Sequence, residues 1–349
     1  MADLALTPRF GFSDAERWDA FIDSSPHGHL LQCFGWGELK SLFGWRVERV
    51  ALEREGEIVA AAQVLLRRTP LGPLAYVGRG PVAEPSDPSV WSALLAAVHR
   101  ACRRRGVFML RLEPNLPLSH PCPLPGFAPT SEAVQPGTSV LLDLGHDLSQ
   151  LASAQKPKTR YNIGLAARRG VEVQLGAAED LERLYPLMLA TAERDRFAVH
   201  TQEYYRQALE CLGERARLLL ATCEGELLAG IIVATCARET IYLYGASSNS
   251  QRQLMPNHLL QWEAIKLART AGCTRYDLWG IPDERPGAGA EATPEGRSAM
   301  AGLYRFKTSF GGEVVRYAGT FDYAYSRPRA WLWHAVLPHV LALRQRRFE

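Results

Sequence analysis

A basic segment near the middle of the chain, Lys156-Pro157-Lys158-Thr159-Arg160-Tyr161-Asn162, has the side chains needed to hold an anion. Its cations stand beside hydroxyl and amide groups that can position a phosphate, and they do not form the unbroken run of a localisation signal or a charged tail. The segment therefore predicts a site for an anionic ligand. The alternative is a helix N-terminus with ordinary solvated charge.

Lysine is scarce in this chain. Of 40 basic residues, five are lysine, which leaves 35 arginines. The scarcity draws attention to each lysine that is present: Lys40, Lys156, Lys158, Lys266 and Lys307. The formal net charge is only +3, so any contact with nucleic acid must come from a local patch and not from the whole surface.

Most enzyme classes with short signatures are excluded. The chain has no G-x-S-x-G elbow, no Walker loop, no G-x-G-x-x-G after a strand and no H-E-x-x-H. Its seven cysteines are scattered without a C-x-x-C pair, which argues against a zinc site and fits a reducing cytoplasm. Nine histidines are dispersed, and only His258 stands out as a candidate. We expect no metal and no cofactor.

The N-terminus has no signal-peptide pattern, and no stretch of 18 uninterrupted apolar residues occurs. We therefore expect a cytoplasmic protein without a membrane span.

The order of elements repeats along the chain, whose 349 residues suggest two domains. Each half shows a hairpin, a strand, a helix and a second strand. The hairpin turns at Gly56 and Gly225 are 169 residues apart, and the helix-closing Gly106 and Gly272 are 166 apart. An offset this constant over several elements indicates a duplicated α/β unit.

The repeated unit resembles the acyltransferase fold of the N-acetyltransferases (GNAT). The resemblance implies an α/β (α+β) protein of two tandem GNAT-like units, with mixed, mostly antiparallel sheets flanked by helices. The first unit is predicted to comprise residues 1–145 with the C-terminal segment 313–349, and the second residues 146–312.

Coenzyme A is not expected, although a coenzyme A-dependent GNAT acyltransferase is an alternative. That fold holds pyrophosphate on the backbone of a Q/R-x-x-G-x-G/A loop. Here the equivalent loop, 252–257, lacks both glycines, and Pro256 removes one amide donor.

Seven segments, taken in order along nearly the whole chain, resemble the Fem family of peptidoglycan bridge-forming aminoacyltransferases, in particular the FemX type. They are Trp36-Gly-Glu-Leu-Lys40 with Gly44-Trp45, Arg111-Leu-Glu-Pro114, Lys158-Thr-Arg-Tyr-Asn162, Tyr242-Leu-Tyr-Gly-Ala-Ser-Ser248, Asn257-His-Leu-Leu-Gln-Trp262, Tyr276-Asp-Leu-Trp-Gly280, and Phe306-Lys307 with Phe310-Gly311-Gly312. The resemblance implies an enzyme that moves a small amino acid, glycine first and otherwise alanine or serine, from aminoacyl-tRNA to the stem-peptide amine of a peptidoglycan precursor. A non-catalytic protein that binds wall precursors is the other alternative.

The same resemblance implies the site residues. Lys307 and Tyr244 are the implied catalytic residues, Lys307 through charge stabilisation and Tyr244 through a proton route. The implied substrate-binding residues are Trp36, Lys40, Glu113, Lys158, Thr159, Arg160, Tyr242 and Phe306. Among them Lys40 and Arg160 are implied to bind the precursor's phosphates. Glu113 stands where many relatives have aspartate.

The C-terminal stretch from Arg329 to Arg347 is amphipathic, carries tryptophan and ends in basic residues. This composition predicts either a helix in contact with anionic lipid at the inner membrane surface or a helix packed on its own domain.

Overall fold

Two mixed sheets form the framework of the protein. The computed structural model describes residues 5–120, 122–195, 198–282 and 294–335. Its internal contacts divide the chain into a first unit, residues 1–135 with 317–349, and a second unit, residues 136–316.

The sequence-based boundaries had placed residues 136–145 and 313–316 in the first unit. In the structure two strands from these ranges, β7 (Thr138–Asp143) and β13 (Glu313–Arg316), pair with each other in the sheet of the second unit. A strand contributes to the unit whose sheet it completes, so both segments belong there.

The described part of the first unit contains helices α1 (Ala15–Ser24), α2 (Phe34–Leu42) and α3 (Pro88–Arg104), and strands β1 (Thr7–Phe10), β2 (Arg46–Arg54), β3 (Glu57–Thr69), β4 (Gly72–Gly78), β5 (Met109–Glu113), β6 (Ala128–Thr130) and β14 (Thr320–Ala324). The strand order is β1-β2-β3-β4-β5-β14-β6. Only the β4–β5 pair is parallel among these described strands, and α3 connects it. Residues 327–335 form a further helix.

The described part of the second unit contains helices α4 (Leu148–Ala154), α5 (Pro157–Arg168), α6 (Leu181–Asp195), α7 (Gln202–Leu212), α8 (Pro256–Thr270) and α9 (Pro294–Thr308), and strands β7, β8 (Glu172–Gly176), β9 (Ala216–Cys223), β10 (Glu226–Cys236), β11 (Glu239–Ser247), β12 (Arg275–Asp277) and β13. Their order is β13-β7-β12-β11-β10-β9-β8. The parallel pair is β11–β12, and α8 connects it. The two units thus repeat the same arrangement, and the predicted fold class of mixed, mostly antiparallel sheets flanked by helices is confirmed.

Local sequence explains the crossover helix of the first unit. Asp87 caps α3 by accepting hydrogen bonds from the backbone amides of Ser89 and Val90, and Pro88 occupies the first turn. The apolar side chains of α3, which include Trp91 and Leu94, are buried against the sheet. Gly106 follows with a φ of +65°, a conformation that glycine adopts without strain.

Two predictions fall partly on residues outside the described ranges. Residues 287–297 are rich in Gly, Ala, Pro and Glu, a composition that predicts a loop; residues 287–293 lie outside the described ranges, and residues 294–297 begin α9. Of the predicted C-terminal helix, residues 336–347 lie outside them. No helix in the described ranges has the length and apolar character needed to cross a bilayer.

Candidate active site

Lys307 lies buried in the last turn of α9, with 6% of its surface exposed. Its ammonium group donates hydrogen bonds to the backbone carbonyls of Gly280 (2.8 Å) and Trp279 (3.3 Å). Burial lowers the pKa of Lys307 from 10.5 to about 8, and the nearby Asp277 carboxylate opposes that change. At neutral pH the group is therefore still mostly charged, but it holds its proton much less tightly than a surface lysine does.

The turn that presents these two carbonyls is rigid. Asp277 ends β12, is fully buried, and accepts hydrogen bonds from the Trp279 amide (2.7 Å) and from the Ser139 hydroxyl. Trp279 has a φ of +59°, which is uncommon for a bulky residue. A Cβ at Gly280 would lie 2.5 Å from Cγ of Pro136, so only glycine fits that position. The oxygens bound to Lys307 thus have a fixed place.

Tyr242 forms one wall beside Lys307. The Lys307 ammonium lies 5.4 Å from the centre of the Tyr242 ring, within the range of a cation–π interaction. Burial raises the pKa of Tyr242 to about 12, so its phenol remains protonated at neutral pH. The structure therefore places the predicted Tyr242 next to the predicted Lys307.

Tyr244 lies on the opposite face of β11, although it is only two residues from Tyr242. The pairing with β10 contains a bulge, because Tyr242 pairs with Val233 while Tyr244 pairs with the adjacent Ile232. Neighbouring residues of a strand point to opposite faces, and paired residues point to the same one. No local sequence pattern indicates this bulge.

The Tyr244 ring packs instead against two tyrosines of α7. Its centre is 5.0 Å from that of Tyr205 and 6.4 Å from that of Tyr204, and its hydroxyl lies 3.5 Å from the Tyr204 hydroxyl. Burial and these neighbours raise the pKa of Tyr244 well above 10. A phenol in this setting stays protonated at neutral pH and can donate a hydrogen bond, and its catalytic role stays a prediction.

Phe306 belongs to an aromatic group that joins the end of α9 to the start of α8. Its ring makes edge contacts with His258 (5.2 Å) and Phe310 (5.3 Å). The His258 Nε2 atom lies 3.2 Å from the Asn162 amide nitrogen of α5. Burial, with a smaller effect of the Lys158 charge, lowers the pKa of His258 to about 4. His258 is therefore neutral at physiological pH and serves as a hydrogen-bonding partner of Asn162.

The start of α5 is tied to the end of α9. The buried Thr159 donates its hydroxyl hydrogen to the Ser309 hydroxyl (2.8 Å), and the Lys156 amide donates to the Ser309 carbonyl (2.9 Å). Sequence reasoning missed Ser309, which has no charge or motif to mark it. These bonds bring the predicted Thr159 into the neighbourhood of Lys307.

Lys158 and Arg160 are exposed on the first turn of α5. The Arg160 guanidinium donates to the carbonyls of Ser153 (3.1 Å) and Gln155, which lie at the end of α4. Arg160 therefore satisfies the last carbonyls of a short helix, in addition to any role in binding a ligand.

In the first unit, α2 carries two of the three predicted binding residues. Trp36 and Lys40 are one turn apart, and the Lys40 ammonium lies 4.5 Å from the centre of the Trp36 ring. Burial lowers the pKa of Lys40 to about 8. The protein thus places two of its five lysines in settings that weaken proton binding.

Glu113 is a buried residue at the end of β5, and it holds neighbouring segments in place. Its carboxylate accepts hydrogen bonds from the Val134 amide (2.6 Å), the Gln135 amide, the Thr320 hydroxyl (3.0 Å) and the Tyr76 hydroxyl. These contacts explain why the position is acidic without any ligand. Substrate binding by Glu113 stays a prediction.

A family model described as the FemAB family matches residues 14–121, 126–226 and 223–337. The chain belongs to the FemAB family. It is similar to the Lipid II:glycine glycyltransferase of Staphylococcus aureus (strain MRSA252). The two sequences are 25% identical over an alignment of 405 positions, gaps included, which covers 92% of this chain and 94% of the relative. The resemblance drawn from the seven segments is confirmed, and the protein is a transferase, as predicted.

Solved structures agree with this FemAB assignment in fold. FemX superposes with a TM-score of 0.82 at 23% identity, over 94% of this chain and 99% of that one. A tandem GNAT protein from the clavulanic acid biosynthesis pathway gives a TM-score of 0.51 at 14% identity, over 91% of this chain and 98% of that one. The predicted tandem GNAT-like fold is confirmed.

The loop before α8 in this FemAB protein differs from a phosphate-binding loop. Residues Arg252–Leu254 form a 3-10 turn, Met255 has a φ of +57°, and Pro256 begins the helix. Side chains occupy the positions where glycines would allow the backbone to approach a pyrophosphate. No group of three His, Cys, Asp or Glu residues suited to a metal ion occurs in the ranges that the structure describes.

Proposed function

We propose that the protein transfers a small amino acid, glycine first and otherwise alanine or serine, from aminoacyl-tRNA to the stem-peptide side-chain amine of a peptidoglycan precursor, which starts an interpeptide bridge. FemAB membership and the similarity to a lipid II:glycine glycyltransferase over nearly the whole chain support the transfer reaction. The observation that carries the proposal is the buried Lys307 ammonium, held on two fixed backbone carbonyls. The precursor is either lipid II or UDP-MurNAc-pentapeptide.

The chemistry requires little beyond positioning and charge. The acceptor amine attacks the ester carbon, so that a C–N bond forms, the ester C–O bond breaks, and the amine proton ends on the leaving ribose oxygen. Ester to amide is downhill, and alignment of the two substrates supplies much of the rate. In this proposal the Lys307 ammonium stabilises the tetrahedral oxyanion.

Binding of the precursor is assigned in the first unit to Lys40, which lies on the face of Trp36. In the second unit Lys158, Thr159 and Arg160 are assigned, independently, as donors to a phosphate. Paired cations suit a diphosphate, and arginine adds bidentate geometry. Lys40→Met and Arg160→Met should each raise the dissociation constant for UDP-MurNAc-pentapeptide, and an unchanged constant in either variant contradicts the assignment of that residue.

The remaining predicted residues take the other substrate groups in this proposal. Phe306 lies next to Lys307 in sequence and is assigned to the aminoacyl end of the tRNA. Tyr242 and Glu113 are assigned to the stem peptide, and Tyr244 to proton transfer. With a net charge of only +3, recognition of the tRNA rests on a local patch.

We also assign a contact with anionic lipid at the inner face of the cytoplasmic membrane to the helix of residues 327–335. Trp331 is 72% exposed on this helix, next to the exposed Leu332, and Arg327 and Arg329 are exposed in its first turn. An amphipathic surface of this composition binds at a lipid interface. The same helix packs Ala330 on Phe108 and Met109, so deletion of the helix would damage the core.

The lipid contact is therefore tested with point variants of the full chain. Trp331→Ser should lower flotation with vesicles that contain anionic phosphatidylglycerol. Leu175→Ser, at a residue that is 59% exposed in the second unit, is the matched control and should not lower it. Equal flotation of both variants and the unmodified protein would contradict the assignment.

The reaction itself is tested by incubation of the protein with precursor and a panel of charged tRNAs, followed by mass measurement of the product. The expected product is heavier than the precursor by one aminoacyl group. Binding of precursor without any product from any tRNA would favour the non-catalytic binder. Acetylated product with acetyl-coenzyme A would favour the N-acyltransferase alternative.

A further inference from the structure

The start of α2 is held by buried polar side chains from the sheet beneath it. Cys33, the residue before the helix, makes no side-chain capping bond. Gln63 of β3, which is fully buried, instead donates through Nε2 to the Cys33 carbonyl (3.0 Å) and the Leu31 carbonyl (3.2 Å). The chain that enters α2 is therefore fixed from below, by a residue 30 positions away in sequence.

Arg49 of β2 binds the first turn of the same helix. Its side chain is buried, and one guanidinium nitrogen donates to both the Phe34 carbonyl (2.9 Å) and the Glu38 carboxylate (2.8 Å). The guanidinium Nε donates to Gln63 Oε1 (2.9 Å). Because Phe34 and Glu38 are one turn apart, this single side chain fixes both the height and the rotation of the helix on the sheet.

Gly37 shows how close this contact is. A Cβ at Gly37 would lie 2.3 Å from Gln63 Oε1 and 2.6 Å from Arg49 Nη2. The helix backbone thus rests directly on the polar pair, with no side chain between them. A buried polar group without a hydrogen-bond partner destabilises the fold by several kcal/mol, so a shift of α2 away from Arg49 and Gln63 is unfavourable.

We propose that Arg49 and Gln63 are positioning residues, which act through α2 to set where Trp36 and Lys40 stand and thereby how tightly the diphosphate of the precursor binds. This inference rests on the proposed function for its ligand. Nothing in the FemAB resemblance assigned either residue. The alternative is that the pair only stabilises the fold of the first unit.

Arg49→Met tests the proposal, because it keeps the length of the side chain and removes its hydrogen bonds. The dissociation constant for UDP-MurNAc-pentapeptide, measured by calorimetry, should rise about tenfold, which corresponds to a loss of about 1.4 kcal/mol in binding free energy. KM for the precursor should rise in parallel while kcat stays within about twofold. Arg49→Lys should recover part of the affinity.

A second readout reports on Lys40 directly. Protein labelled with 13C at the lysine ε-carbon has five signals, because the chain has five lysines. Lys40 loses burial when α2 loosens, so its pKa should rise from about 8 towards 10.5 in Arg49→Met. Lys307, in the second unit, is the internal reference and should keep its pKa of about 8.

Two further variants serve as a control and as a milder test of the Arg49 contact. Arg46→Met removes an exposed arginine of the same strand and should leave both readouts unchanged. Glu38→Gln weakens the Arg49 contact at a half-exposed residue, and should raise the dissociation constant about twofold to threefold even where Arg49→Met does not fold.

An unchanged Lys40 titration and unchanged precursor affinity in folded Arg49→Met or Glu38→Gln overturn the proposal. If the unmodified protein does not bind the precursor at all, the proposed function fails, while the Lys40 titration still decides whether the pair positions α2.

Discussion

Replacement of Lys307 by methionine separates its chemical role from its structural one. Methionine has a similar volume but donates no hydrogen bond, so the carbonyls of Trp279 and Gly280 lose their partner. Each carbonyl left without a donor costs about 1–3 kcal/mol. Burial of the charged lysine has the opposite effect on stability. The pKa of Lys307 falls from 10.5 to about 8, which corresponds to a destabilisation of the charged form by about 3 kcal/mol. The two effects largely cancel, and we expect Lys307→Met to unfold within about 2 kcal/mol of the unmodified protein.

The pH dependence of stability has a definite sign. The folded-state pKa of Lys307 lies below its unfolded value, so the unfolded chain binds the proton more tightly between about pH 8 and 10.5. The free energy of unfolding contributed by this group therefore rises with pH across that window. Lys307→Met should lack this rise, which denaturant titrations at pH 7.5 and pH 9.5 can measure.

Turnover should respond much more strongly than stability. Loss of a single oxyanion donor lowers kcat by about a hundredfold to a thousandfold in enzymes that use such donors, or about 3–4 kcal/mol. The assay is single-turnover transfer from charged tRNA at saturating precursor. Lys266→Met, which alters a surface lysine paired with Glu263, is the matched control and should keep full activity. Unchanged kcat in a folded Lys307→Met would refute the assigned role.

The pH–rate profile provides an independent check. Deprotonation of the acceptor amine, with a pKa of about 10.4, makes the rate rise about tenfold per pH unit. Above about pH 8 Lys307 loses its proton, so the rise should level off. A tenfold rise per unit that continues to pH 9.5 would contradict charge stabilisation by Lys307.

Three further predictions concern the surroundings of the site. Tyr244→Phe should lower kcat about tenfold if its hydroxyl carries protons, as proposed; an unchanged kcat would leave it the role of a packed ring. Gly37→Ala should lower the free energy of unfolding by about 1–3 kcal/mol in a denaturant titration, because the added methyl meets Gln63 at 2.3 Å; equal stability would contradict this. Arg111→Leu should lower the free energy of unfolding by about 3–5 kcal/mol, because it leaves the buried Asp322 without its bidentate partner (2.8 Å for both bonds). A smaller decrease, measured by a thermal melt, would show that solvent reaches the pair.

The fold could be predicted from the sequence because its signals are local and repeated. The turns at Gly56 and Gly225 have φ values of +87° and +79°, which favour glycine, so both hairpins can be recognised in the sequence by these glycines. The domain boundaries were harder to predict from the sequence. The strand Thr138–Asp143 pairs with Arg275–Asp277, more than 130 positions later, and no local pattern reports such a partner.

For the candidate site, the sequence allows a choice of residue types but does not predict their contacts. Lys307 and Lys40 stood out through type and motif, whereas the bulge that separates Tyr242 from Tyr244 depends on the register with Ile232 and Val233. The hydroxyl of Ser309 and the carbonyl of Gly280 carry no sequence signal, because almost any segment could supply such groups. What a residue can do is visible in its type, whereas what it touches depends on contacts distant in sequence.

The scarcity of lysine gains a physical meaning from two of the five positions. In a chain with 35 arginines, arginine could have supplied any ordinary surface cation, yet a lysine stands at the buried position 307 and at the half-buried position 40. Arginine keeps its charge at any physiological pH and presents a flat fork of five donors. Lysine carries a compact charge, and burial lowers the pKa of Lys40 and Lys307 to about 8. Each ammonium group is therefore mostly protonated at neutral pH but loses its proton more readily than an exposed lysine. In the proposed reaction the Lys307 ammonium stabilises a transient oxyanion while the attacking amine is neutral, and a compact cation of this kind suits that role.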